Sequence, residues 1–466
     1  MQMLKRAALV LLAMPLVLAG CVVPGVSKNA TDLPVGIEKI QHVVIIMQEN
    51  RSFDSYFGTY PGADGIPMTD GVPTACLNDP LTNSCVRPYH DPKDSNHGGP
   101  HDHTAALIDI DNGRMDGFIR AQRLGETLAC PTGKETSCAE PDVMGWHDAR
   151  EIPNYWSYAG SFVLQDHKFE PTTSWSLPAH LFMVSAWSAS CRAKADPESC
   201  SSEIENPPYR PDYQEALVPP NQRPPIMTPD YAWTDLTYLL HAHNVTWAYY
   251  IEGGKEPDCE DDQMVCPPIL QSARTPGIWN PLPWFDTVRD DNQLGNVQDL
   301  SNFLAAATDG NLPAVSWVIP NAADSEVPPA SIRRGQAHVT NLINTVMQGP
   351  DWNSTAIFLA WDDWSGFYDH VVPPVVDDNG YGLRVPGLLI SPYARRGLID
   401  HQVLSFDAYL KFIEDRFLGG QRLDPATDSR PDSRPDVREA QSQLGDLRSE
   451  FDFTQAPQPP LVLPVQ

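Results

Sequence analysis

The chain has 466 residues, a formal net charge of −28 and 46 prolines. So acidic a polypeptide is excluded as a partner of nucleic acid or of an anionic membrane surface, since both carry negative charge. With 41% hydrophobic residues and twelve tryptophans it is excluded from the disordered class too, so the prolines mark ordered loops.

The N-terminus places Lys5 and Arg6 before an apolar run that ends in "LAGC" at Cys21. Charge, apolar segment and small residues in that order form an export signal. The apolar run is about half the ~20 residues that a membrane span needs. "LAGC" resembles a bacterial lipobox, in which Cys21 becomes the lipid-modified first residue. Residues 1–21 are therefore expected to be a lipoprotein signal, 22–37 a tether, and 38–466 a single domain. The expected location is the cell envelope, outside the cytoplasm, with the membrane contacted through a lipid on Cys21.

Eight further cysteines form four couples close in sequence: Cys76 and Cys85, Cys130 and Cys138, Cys191 and Cys200, Cys259 and Cys266. All lie in stretches rich in Pro, Asp, Asn, Ser or Thr. No CxxC spacing occurs, which argues against zinc. Four local disulfides in an oxidising compartment are expected.

In chain order, the first strand is expected at Val43–Met47, whose unbroken apolar run suits a parallel sheet covered on both faces. Ser161–Asp166, Thr246–Ile251, Ala314–Ile319, Thr355–Asp363 and Val385–Ser391 are the other expected strands. Helical patterns alternate with them. Arg333–Gly349 is one. In the other, Ser405 stands at the cap, Phe406, Leu410, Ile413 and Phe417 share a face, and Gly419–Gly420 end it. Such alternation implies an α/β domain. Residues 60–150 and 190–280 hold the cysteine couples and most breakers, so they are expected to be loop-rich, disulfide-stapled insertions. "DSRPDSRPD" near Asp428–Asp436 is expected to be an extended surface segment. Trp156, Tyr158, Trp175, Trp187 and Trp247 are expected in the core, with a cation–π pocket for a choline-type group as the alternative.

Ligands of open α/β sheets bind beyond the carboxyl ends of strands. Three strands deliver polar groups there. Val43–Met47 leads to Glu49 and Asn50. Thr355–Ala360 leads to Asp362 and Asp363, then Asp369 and His370. The strand near Phe162–Leu164 leads to Asp166 and a loop containing Ser174 and Ser176 before an apolar helix. Hard oxygen ligands from separate strands suit a divalent cation. A hydroxyl at a helix N-terminus can serve as both ligand and nucleophile. Taken singly, Glu49–Asn50 would equally cap a helix near Ser52, Asp362–Asp363 would make a turn, and Ser174 or Ser176 would cap a helix.

The blocks "ENRSFDSYFGTYPGADGIP", "NGRMDGF", "WDDWSGFYDHVVPP", "GLRVPGLLISPYARRG" and "LKFIEDRF" occur in order along nearly the whole mature chain. Together they resemble the bacterial phosphoesterase family that includes phosphatidylcholine-type phospholipases C and respiratory-burst-inhibiting acid phosphatases. The resemblance implies a three-layer α/β/α sandwich with an alkaline-phosphatase-like core, and phosphoester hydrolysis through a phosphoserine. It also implies one divalent metal, held by Glu49, Asn50, Ser176, Asp362 and Asp363. Ser176, two residues before Pro178, is the implied nucleophile, with Ser174 as fallback. Asn50 would donate to the developing charge. His103 is the implied acid and base, with His101 close enough to compete.

Two positions depart from the family pattern. Ala179–His180 replaces an Asn-Arg pair, and Val327 stands where a His is expected. His180 and His370 are therefore expected to join His101 in binding substrate, with His338 a weaker substitute for the missing His. The expected activity is phospholipase C on phospholipids. Acid phosphatase is the alternative, and a catalytically weak binding lipoprotein on the same scaffold, motivated by Val327, is the second.

Overall fold

The apolar runs assemble side by side in the computed structural model, which describes residues 36–129, 141–206, 229–258 and 268–466. The strands of the central sheet are β1 (His42–Gln48), β2 (Val163–Gln165), β3 (Trp247–Ile251), β4 (Val297–Asp299), β5 (Val315–Ile319), β6 (Thr355–Trp361), β7 (Gly387–Ile390) and β8 (Leu398–Asp400). Their order across the sheet is β4-β3-β5-β1-β6-β7-β2-β8. β1 is parallel to both neighbours, and β7 runs against β6 and β2. Flanking helices are α1 (Phe53–Phe57), α2 (His103–Ile110), α3 (Pro153–Ser161), α4 (Ser176–Ser185), α5 (Leu300–Asp309), α6 (Ile332–Gln348) and α7 (Phe406–Phe417).

Register shows why helices cover both faces. Tyr249, Trp317, Ile45 and Phe358 lie in one row across β3, β5, β1 and β6. Neighbours in such a row point the same way. Phe358 stacks on Tyr409 of α7 with ring centres 4.6 Å apart, and meets Phe412 at 5.5 Å. The next row, through Tyr250 and Ile46, points to the opposite face, where Tyr250 meets Phe303 of α5 at 5.4 Å. α4 packs with α7, whereas α6 packs with α5 and α3. The architecture is thus an α/β/α sandwich, and the stretches 43–47 of β1 and 356–361 of β6 are apolar because both their faces are buried.

The expected strands shorten at their polar ends: Ser161–Asp166 becomes β2 and Val385–Ser391 becomes β7. The edge strands β4 and β8 are three residues each, too short to carry a readable period. α6 and α7 lie where the patterns placed them. Ser405 occupies the cap position of α7 without a capping bond, and Gly419 and Gly420 end the helix with φ of 62° and 84°.

Tyr158, Trp175, Trp187 and Trp247 are buried, so they are core. Trp156 is half-buried and donates its Nε1–H to the Tyr56 carbonyl. The segment at 428–436 differs from expectation. It holds neither helix nor strand, yet Arg434 is buried and donates to the carbonyls of Ser185, Leu423 and Thr234. A guanidinium that satisfies three carbonyls turns this repeat into an internal clamp rather than a surface strap.

Disulfides Cys76–Cys85 and Cys191–Cys200 join hairpins in the two loop-rich regions. Cys21 and the signal, most of the tether, and the couples Cys130–Cys138 and Cys259–Cys266 lie outside the described residues.

Candidate metal centre and active site

β1 and β6 are adjacent and parallel, so both end at the same rim of the sheet. The Asp362 amide donates to the Gln48 carbonyl at 3.1 Å, continuing the ladder one residue past β6. The Asn50 amide then donates to Asp362 Oδ1 at 3.1 Å. Asn50 has φ 59°, a left-handed turn that Asn tolerates better than most residues. This turn separates Glu49 from Asn50 and aims both side chains at the rim.

α4 begins on Ser176, whose hydroxyl donates to Asp363 Oδ2 at 3.1 Å. Asn50 Nδ2 donates to the same oxygen at 3.2 Å. One helical turn on from Ser176, on the same face, stands His180. Its Nε2 lies 3.5 Å from Glu49 Oε1 and 3.8 Å from Asp362 Oδ2. These gaps are too long for hydrogen bonds. They suit ligand atoms that share a cation, each about 2.1 Å from it.

The residues pass a chemical test for a metal. Glu49, His180 and Asp362 each offer a ligand atom within 4.8 Å of the others, and all three are buried. Both Glu49 oxygens, Asp362 Oδ2, Asn50 Oδ1 and both His180 ring nitrogens lack a hydrogen-bond partner. Buried polar atoms without partners are costly, and a cation would satisfy the carboxylate oxygens, Asn50 Oδ1 and His180 Nε2 together. Without one, burial and then the charge of Asp362 push the Glu49 carboxyl well above its usual range. Burial and Asp362 do the same to Asp363. Burial pulls His180 down to about 4, so its imidazole is neutral at pH 7, the form that ligates metals.

A histidine closes the site on another side. His101 Nε2 lies 3.2 Å from Asn50 Nδ2, 2.7 Å from Asp258 Oδ2 and 3.9 Å from Asp363 Oδ2. Two glycines permit this. An ideal Cβ on Gly366 would lie 2.6 Å from Gly99 Cα, so only glycine lets the loop after Asp363 touch the loop before His101. The Gly99 amide donates to the Ser365 carbonyl at 2.8 Å, locking the two loops together.

Behind the rim, Glu326 is fully buried and accepts hydroxyls from Tyr155 at 2.6 Å and Tyr56 at 2.7 Å. The Trp361 indole donates to it at 3.2 Å. Arg51 bonds the Tyr56 hydroxyl and donates to the Asn50 carbonyl at 3.0 Å, so this network steadies the Asn50 turn. Burial pushes Glu326 up to about 7 against the pull of its donors. Val327, next to it, is buried.

The structure brings Glu49, Asn50, Ser176, Asp362 and Asp363 together at one rim. Three histidines fall differently. His180 sits between two carboxylates, where a metal ligand would, rather than in a substrate position. His101, not His103, meets Asn50; the His103 ring faces Thr173, with Nδ1 2.8 Å from its carbonyl. His370 joins another group, pairing with Asp54 at 2.7 Å beside the buried Arg384. Ser174 turns to Glu205 at 3.5 Å. The i, i+4 spacing of Ser176 and His180 on an expected helix was the signal that could have marked His180 as a ligand.

The signature of the Phosphoesterase family matches residues 40–418. Phospholipase C B of Mycobacterium tuberculosis is 25% identical over 92% of this chain and 81% of its own length. A non-hemolytic phospholipase C of Pseudomonas aeruginosa is 24% identical over 82% of this chain and 54% of its own. Among solved structures, a Pseudoalteromonas sulfatase covers 88% of this chain and 76% of its own, with a TM-score of 0.35 and 10% identity.

Two outcomes follow from these environments. In thermal denaturation after chelation, adding a divalent cation raises the Tm of wild type by several degrees and leaves Glu49→Gln unmoved. An equal shift in both proteins would remove Glu49 from the metal site. For Glu326 the folded pKa exceeds the unfolded one, so its contribution is full below about 4.5 and declines as pH rises through about 7. The stability of wild type relative to Glu326→Gln therefore falls between pH 5 and 8, by an amount on the order of 3 kcal/mol. A difference that stays flat over this range contradicts the assignment.

Proposed function

From the chain's membership of the Phosphoesterase family, which makes it a phosphoric ester hydrolase, we propose that it hydrolyses phosphate esters at this rim through a metal-assisted phosphoserine. Phospholipids are the expected substrates, because relatives along most of the chain bear the name phospholipase C. The observation that carries the reading is the set of buried, unpartnered ligand atoms of Glu49, His180 and Asp362, next to Ser176.

A single divalent ion would be held by Glu49, Asp362, His180, Asn50 and Ser176, while Asp363 Oδ2 accepts the Ser176 hydroxyl. An imidazole among the ligands favours a first-row transition ion over calcium or magnesium. When bound, the ion supplies Lewis-acid stabilisation of phosphoryl charge and lowers the pKa of the serine hydroxyl.

The chain's own residues do the rest. Asp363 Oδ2 accepts the Ser176 proton, and Oγ attacks phosphorus as the bond to the leaving alkoxide breaks. Asn50 Nδ2 and the N-terminal amides of α4 donate to the phosphoryl oxygens. His101, whose Nε2 lies 2.7 Å from Asp258 Oδ2, gives a proton to the leaving oxygen. It then takes one from the water that cleaves the phosphoserine, and Asp363 returns its proton to the departing Ser176 oxygen. This role passes to His101 from His103, whose ring is held by Thr173.

Export and a lipid anchor on Cys21 belong to the same reading, since the signal and lipobox would place the enzyme at a membrane. Val327, in place of a histidine, favours as second reading a scaffold that binds esters with little turnover.

The test uses p-nitrophenyl phosphorylcholine and p-nitrophenyl phosphate. Wild type should turn over the diester faster, and chelation or Ser176→Ala should abolish both activities. His101→Ala should lower kcat by about 10²-fold or more, and His103→Ala by much less. Activity that survives both chelation and Ser176→Ala overturns the mechanism. A wild type inert on both esters favours the binding reading, and faster monoester turnover makes the enzyme a phosphatase.

A further inference from the structure

The loop after the second acidic pair reads Val371-Val372-Pro373-Pro374-Val375-Val376, six apolar residues in a chain of net charge −28. Val372 is 49% exposed and Val375 is 80% exposed. Single exposed valines need no explanation, but a wholly apolar loop that turns two of them outward does.

The loop is rigidly mounted. The Tyr381 amide donates to the Pro374 carbonyl at 3.1 Å and closes its base. Buried Arg438 holds that base, donating to Asp377 Oδ2 at 2.5 Å, to the Gly380 carbonyl at 3.0 Å and to the Pro171 carbonyl at 2.9 Å. The two prolines restrict the tip further. The valines are thus presented in a fixed shape, with little ordering entropy left to lose on contact.

The loop is also mounted beside the reacting residues. It leaves the segment that follows Asp363. It returns against the segment before Ser176, where the Thr173 amide donates to the Asn379 carbonyl at 3.3 Å. On its outer side, an ideal Cβ on Gly113 would lie 3.8 Å from Val372. Gly113 follows α2, which exposes Leu107 at 56%. Val372 therefore lies against the turn after α2, on a loop whose two ends join the segments that lead from Asp363 and to Ser176.

We propose that the loop 371–376 is an interfacial docking surface that seats the enzyme on a zwitterionic phospholipid bilayer, with Val372 and Val375 entering the headgroup–acyl boundary. This inference rests on the phospholipid reading above. Charge selects the occupant. Asp378 follows the loop; Asp377 is paired with Arg438, and Asp111 and Asp116 near Gly113 are paired with Arg114 and Arg120, so the repulsion comes from the chain's net charge of −28. An anionic leaflet would be repelled, whereas phosphatidylcholine is not. The apolar loop then supplies the contact by burial alone.

The experiment reads binding and turnover separately. Protein carrying Cys21→Ser, which removes the expected lipid, and Ser176→Ala, alone or with Val372→Ser and Val375→Ser, is sedimented with phosphatidylcholine vesicles and with vesicles rich in phosphatidylglycerol. The same valine pair is assayed in the active protein on soluble p-nitrophenyl phosphorylcholine. Expected are a loss of phosphatidylcholine binding of about tenfold or more from the valine substitutions, weaker binding to the anionic vesicles, and unchanged turnover of the soluble ester. Unchanged turnover also shows that the variant is folded. Vesicle binding equal in the two proteins overturns the proposal. So does light scattering that shows a wild-type dimer dissociated by the valine substitutions, since the loop would then face a second copy. A wild type with no turnover of any ester overturns the catalytic reading instead, because binding is measured on a protein that does not turn over.

Discussion

Three carboxylates, those of Glu49, Asp362 and Asp363, are held out of water at the ends of two adjacent strands. Like charges in a buried site repel, and burial alone already penalises each ionised form. No arginine or lysine is bonded to them among the described residues. Much else at the rim follows from this constraint. The left-handed turn at Asn50 separates the groups, the amides of Asn50, Asp363 and Ser365 soften the charge, and His180 arrives neutral. Each is a partial answer to a charge of which a divalent cation would offset the greater part.

The same constraint links the rest of the molecule to the chemistry. The sheet must be parallel at β1 and β6 for both acidic pairs to reach one edge. α4 must start at Ser176 for its hydroxyl and the His180 ring to share a face. Glu326 and its tyrosines matter because Arg51 links them to the Asn50 turn. The insertions contribute too: Asp258, beyond β3, contacts His101.

What could be read from the chain, and what could not, divides along physical lines. Val43–Met47 and Thr355–Ala360 are long apolar runs, and the acids at their ends were legible because strand ends of α/β sheets carry sites. Ser176 was legible as one of two hydroxyls before a helix start, and only the family resemblance, through Pro178, chose it over Ser174. β4 and β8 were not, because three-residue edge strands carry no period. The choice between His101 and His103 depends on a contact between Gly99 and Gly366, far apart in sequence, and no local pattern encodes it. Arg434 inside an apparently polar repeat was hidden for the same reason: its three carbonyl acceptors come from three distant segments.

The most direct measurement is elemental analysis of the purified protein, metal by metal, on wild type and His180→Ala. The account predicts about one transition-metal ion per wild-type chain and a large loss of it in the variant. A wild type that purifies without metal and takes up none on dialysis, or a His180→Ala protein that retains a full ion, would contradict it.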